Sequence, residues 1–119
     1  MIDPITEHIL LTELFKTNHM KKTEKQLSPL TKAYRNQLGN CAKNKDEKQQ
    51  YVCYIKTAQK YISTLRSAMN KLRSKCNNEK DKQGCINAVQ YNINSKINSE
   101  QHEIKLWNQA IKEIKSETR

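Results

Sequence analysis

From Lys45 to Cys76 the chain contains neither Gly nor Pro, and Tyr51, Ile55, Ala58, Ile62, Leu65, Met69, Leu72 and Cys76 recur at spacings of 4,3,4,3,4,3,4. Apolar residues at alternating intervals of three and four share one stripe of an α-helix, whereas a strand would scatter them over both faces. The pattern predicts a long helix over 45–76, which needs a second apolar stripe to cover its own. The chain supplies one: Ile86, Val89, Ile93, Ile97, Glu100, Ile104, Trp107, Ile111 and Ile114 are spaced 3,4,4,3,4,3,4,3, predicting a second long helix over 85–117. The NNEKDKQG stretch between them, residues 77–84, is polar and ends on Gly84, a helix-stopping residue. The expected fold is all-α, built on a long antiparallel helical hairpin of about 45 Å at 1.5 Å rise per residue.

Before residue 45 the punctuation predicts two shorter helices. The first, Pro4 to about Lys25, has Ile5, Ile9, Leu11 and Phe15 near helical spacing, with Asp3 placed to cap it and Pro4 at its first position. In the second, Ser28 caps, Pro29 sits in the first turn, Leu30, Tyr34 and Leu38 recur every four residues, and Gly39 stops it. A second stripe on the long helix, Tyr54, Tyr61 and Ala68, offers these helices a surface. Residues 1–27 turn polar in their second half and are expected to pack loosely. No repeat or low-complexity linker divides the chain, so 1–119 reads as one domain, and two Gly and two Pro in 119 residues leave a sheet without turns.

Mean hydropathy is -0.96 and 29% of residues are charged, so the core is small and covalent staples are expected. Four cysteines supply them, and geometry selects among their three pairings. Cys53 and Cys76 share the long helix and lie about 35 Å apart at helical rise, whereas a disulfide needs Cα atoms within roughly 7 Å. Cys85 follows Cys76 across the hairpin loop and is equally out of reach of Cys53. The expected bridges are Cys41–Cys53 and Cys76–Cys85. Intervals of 11, 22 and 8 residues between successive cysteines contain no C-x2-C or C-x4-C half-site for zinc, and the unbroken stripe between Cys53 and Cys76 denies a twin-cysteine hairpin.

Structural disulfides imply an oxidising compartment, periplasmic or extracellular. No stretch approaches the roughly 20 apolar residues of a membrane span. The apolar run Ile9–Phe15 is broken by Thr12 and Glu13 and has no basic leader, so the chain reads as a mature, exported form.

Catalysis is not expected. The sequence lacks G-x-S-x-G, H-E-x-x-H and G-x-x-x-x-G-K-[ST], and two glycines build neither a nucleophile elbow nor a phosphate loop. His8, His19 and His102 have no histidine four residues away, and Glu7 and Glu103, adjacent in sequence to a histidine, splay to another side of a helix; these are read as inert surface histidines, with no metal or cofactor. Glu100 interrupts the second stripe; either the seam opens to water there or Lys48 or Lys56 pairs with it. Trp107 lies on the same stripe and is read as core.

Charge is the remaining feature. Of a net +10, residues 28–76 carry 11 Lys+Arg against 2 Asp+Glu, while residues 1–27 balance and 77–119 total +1. At 100° per residue Lys56, Lys60, Lys71 and Lys75 fall opposite the apolar stripe, forming a basic band that is either a solvated face or a contact for an acidic partner, with Tyr54 and Tyr61 as candidate anchors. Arg is scarce, so base-specific nucleic-acid recognition is not expected. The expected function is that of a small exported helical protein-binding module, monomeric or homodimeric. Size, compartment and composition suit an inhibitor or immunity partner of an envelope-acting toxin or lytic enzyme, or an accessory subunit of a secretion or conjugation machine. The alternative is a basic protein that binds polyanions or membrane surfaces.

Overall fold

A computed structural model describes the backbone of residues 4–117 and the side chains of residues 18–114. Its elements are α1 (Pro4–Ala42), α2 (Glu47–Lys75) and α3 (Lys82–Glu117), with a single 3-10 turn at Cys76–Asn78 between the last two. No strand occurs among the described residues. The two long helices lie within three residues of their expected bounds.

The N-terminal half departs from expectation. One helix, α1, runs through Ser28, Pro29 and Gly39 where two short helices were expected. An interior proline removes one helical hydrogen bond and crowds the carbonyl four residues back. Here Ser28 and Pro29 are exposed, which turns that defect toward water. On the opposite side Thr23, Leu27, Leu30, Tyr34, Leu38 and Cys41 form a stripe that crosses the proline without a break, and Leu27, two residues before it, is 0% exposed. Burial of a leucine contributes about 1.5–3 kcal/mol, comparable to the cost of about 3 kcal/mol for an interior proline. Of the segment expected to pack loosely, Thr23 and Leu27 are buried; Asp3 and the side chains of Ile5, Ile9, Leu11 and Phe15 lie outside the described residues.

Both helix junctions are closed by side chains. After α1, the Gln50 amide donates to the carbonyls of Ala42 and Asn44, and Asn44 Oδ1 accepts from the Asp46 N–H at 3.2 Å. Before α3, Asp81 acts as cap: its Oδ1 accepts the Gly84 N–H at 3.1 Å. Gly84 thus lies in the first turn of α3 where it was expected to end a loop, and a Cβ there would collide with the Asp81 carboxylate.

Each junction also carries a disulfide. Cys41 and Cys53 have Cα atoms 5.5 Å apart and Cys76 and Cys85 5.6 Å, the pairing expected from helix geometry. The helices also meet away from the bridges. Cys76 meets Cys85, while the Tyr54 ring is 5.4 Å from that of Trp107; Cys41 meets Cys53, while Thr31 Oγ1 is 3.0 Å from Tyr61 Oη. A single core links the three helices, with Leu27, Leu65, Ile93, Val89 and Cys76 fully buried.

Candidate functional site

Two surfaces emerge from this packing, and they differ in how their polar groups are satisfied. On α2 the buried stripe of Ala58, Ile62, Leu65 and Leu72 faces the core, and Lys56, Lys60, Lys71 and Lys75 are all exposed, as are Arg66 and Arg73. Among the described residues none of these six cations makes a salt bridge: the ion pairs are Lys96–Glu24 at 2.9 Å, Lys22–Glu79, and His19 with Asp81 at 3.6 Å, all on α1, α3 or the link between α2 and α3. Lys56 and Lys75 lie about 28 Å apart along the helix at 1.5 Å per residue.

The second surface is an open groove of about 600 Å³ between α1 and α3. Its floor holds Tyr34 stacked on Tyr61, ring centroids 4.1 Å apart and planes within 10°. The Tyr34 hydroxyl donates to Glu100, and the Thr31 and Tyr61 hydroxyls share a hydrogen bond. Burial first, then the Glu100 carboxylate, push the Tyr34 hydroxyl well above the ordinary tyrosine range. At the rim the hydrogen bond from Lys96 lowers the Glu24 carboxyl, against a smaller opposing effect of burial. Lys22 does the same for Glu79 across the link before α3.

Each sequence-based candidate now has a position. Lys56, Lys60, Lys71 and Lys75 share the exposed side of α2. Tyr61 is only 7% exposed and belongs to the core, so it cannot anchor an outside partner. Tyr54 is half-buried between Tyr51 and Trp107. Glu100 is held by Tyr34 of α1, not by Lys48 or Lys56 of α2; the seam is occupied there by a third helix, whose hydroxyl no intrahelical spacing could have revealed. Trp107 packs against the core edge and lines the groove. His19, read as inert, sits half-buried beside Asp81, sixty-two positions further along the chain. His102 is exposed, and the side chain of His8 lies outside the described residues.

All four cysteines are bonded in pairs, and among the described residues no cluster of three His, Cys, Asp or Glu side chains forms. No described helix is long and apolar enough to cross a membrane. Two cysteine pairs at bonding distance are compatible with an oxidising compartment. Comparison with protein-family models, with curated proteins and with solved structures finds no match to this chain.

Proposed function

We propose that this chain is an exported, non-catalytic helical protein-binding module, periplasmic or secreted, that offers the outer face of α2 to an acidic protein partner. The observation that carries the reading is the set of exposed Lys56, Lys60, Lys71 and Lys75 on the outer side of α2, none of which makes a salt bridge among the described residues. Unspent charge on a stiff element favours a complementary partner and speeds its encounter. The arrangement supports a single-domain body in which α2 and α3 form a long antiparallel hairpin, braced by α1 and stapled at both ends of α2. Such a module suits an inhibitor or immunity partner of an envelope-acting toxin or lytic enzyme, or an accessory subunit of a secretion or conjugation machine.

The test is capture of partners from the native source by the intact protein and by a variant with Lys56, Lys60, Lys71 and Lys75 all changed to Glu. A defined acidic protein bound by the intact form alone, losing about tenfold or less in affinity between 50 and 200 mM salt, supports the proposal. The same basic face favours a second reading, binding of polyanions or anionic membranes. That reading requires direct binding to DNA or anionic vesicles, weakening about a thousandfold over the same salt range when six or more phosphates are contacted.

A further inference from the structure

The α1–α3 groove has the makings of an interface that the basic face of α2 lacks. Tyr91, 61% exposed, and Leu106, 48% exposed, are the large apolar side chains that stand out to solvent among the described residues, and both are on α3. At 100° per residue they fall roughly 60° apart, on the side that also carries Ser95, Ser99 and Glu103 to the groove. Tyr91 lines the groove and Leu106 lies on the same side about 22 Å further along α3, and exposed apolar side chains that share one side of a helix mark an interaction surface more often than scattered ones do.

Charge identifies what fits there. Arg35 and Lys96 are balanced at the groove by Glu100 and Glu103. Lys96 and Glu100 are engaged within the chain, by Glu24 and Tyr34. Arg35, whose charge also acts on Glu24, stands on the α1 wall and Glu103 on the α3 wall, with no salt bridge between them. The Tyr34–Glu100 bond sets the two walls at one height, since Arg35 follows Tyr34 and Glu103 is one turn beyond Glu100. A cation on one wall and a carboxylate on the other form a self-complementary pattern. A two-fold axis along the groove lays each α1 wall on the partner's α3 wall, so that arginine meets carboxylate twice; a two-fold axis across the groove would set like charge on like.

We propose that the groove is the docking surface for a second copy of this chain, the two copies side by side with their helices running in the same direction. The basic α2 faces then stay apart, outside the interface.

Sedimentation velocity on the full chain decides the matter. The intact protein is expected at about twice 14.0 kDa at micromolar concentration. Arg35→Glu and Glu103→Arg should each weaken the dimer about tenfold or more by creating two like-charge contacts, and the two together should restore it to within about threefold. Leu106→Asp should give monomers with unchanged helical circular dichroism, because that side chain is not in the core. A mass of 14.0 kDa up to about 100 μM, a dimer indifferent to the single reversals, or a double reversal no better than either single overturns the proposal. Reversal of the four α2 lysines should leave the mass unchanged, so loss of an acidic partner and loss of the dimer are separable results.

Discussion

The outer face of α2 and the face shared by α1 and α3 dispose of polar groups in opposite ways. On the first, Lys56, Lys60, Lys71 and Lys75 stand in solvent without an ion-pair partner among the described residues. On the second, Glu24, Glu100 and the hydroxyls of Thr31, Tyr34 and Tyr61 are bonded across helices, and aromatic rings lie beneath them. The difference follows from desolvation. A polar group beside the core loses water and needs a protein partner, at a cost of about 1–3 kcal/mol if it has none, whereas a lysine on an outer face keeps its hydration and needs nothing. One face is therefore organised by the fold, and the other stays hydrated.

The two faces share the staples at either end of α2, so the largest expected effect is common to both. Reduction of Cys41–Cys53 and Cys76–Cys85 should each remove about 2–4 kcal/mol in a chain-entropy account, lowering the melting temperature by many degrees in a calorimetric scan with and without reductant. An unchanged melting temperature would show that packing alone holds the helices.

Leu27→Ala comes next. Full burial beside Pro29 predicts a loss of about 2–5 kcal/mol in urea unfolding. A loss below about 0.5 kcal/mol, the scale of a surface change, would mean that α1 is not packed through its proline.

Tyr34→Phe probes the organised face alone, leaving Glu100 without its donor at about 1–3 kcal/mol. The raised Tyr34 hydroxyl also has a pH signature. Above the ordinary value of 10.0 the unfolded chain releases this proton before the folded one does, so stability should fall as pH rises past 10.0 and the Phe variant should lose that part of the slope. Equal slopes for both proteins would remove the burial argument.

The exposed Lys96–Glu24 pair should matter less, about 0.2–1 kcal/mol after screening. Because the folded carboxyl is lowered, its contribution is complete above the ordinary 4.5 and is lost as pH falls below it; Glu24→Gln should flatten that acid limb. Smallest of all is the α2 face, where single Lys-to-Ala changes should stay within about 0.5 kcal/mol of the parent. A larger loss at Lys60, for instance, would reveal a structural role for the band and break the contrast between the faces.

Much of this architecture is written in local pattern. The 3–4 periodicity from Tyr51 to Cys76 and from Ile86 to Ile114 determines two long helices, because a helix repeats every 3.6 residues and only one stripe can be buried. Once α2 is that long, the disulfide pairing follows from rise per residue, and the observed bridges agree. The exposure of Lys56, Lys60, Lys71 and Lys75 follows from the same periodicity read on the opposite side.

What the sequence did not determine hinges on contacts between distant residues. The continuity of α1 was hidden by strong local stop signals, although the stripe Thr23, Leu27, Leu30, Tyr34, Leu38, Cys41 was present to be read across Pro29. Local punctuation and tertiary burial are of similar magnitude, and only the folded arrangement shows which prevails. The Tyr34–Glu100 bond, the stacking of Tyr34 on Tyr61 and the groove that they floor join positions on different helices, and no intrahelical spacing encodes which helices meet. Periodicity says which side of each helix is turned inward; tertiary packing alone decides whose inward side it touches, because side-chain contacts between helices depend on crossing geometry and register that a linear pattern does not contain.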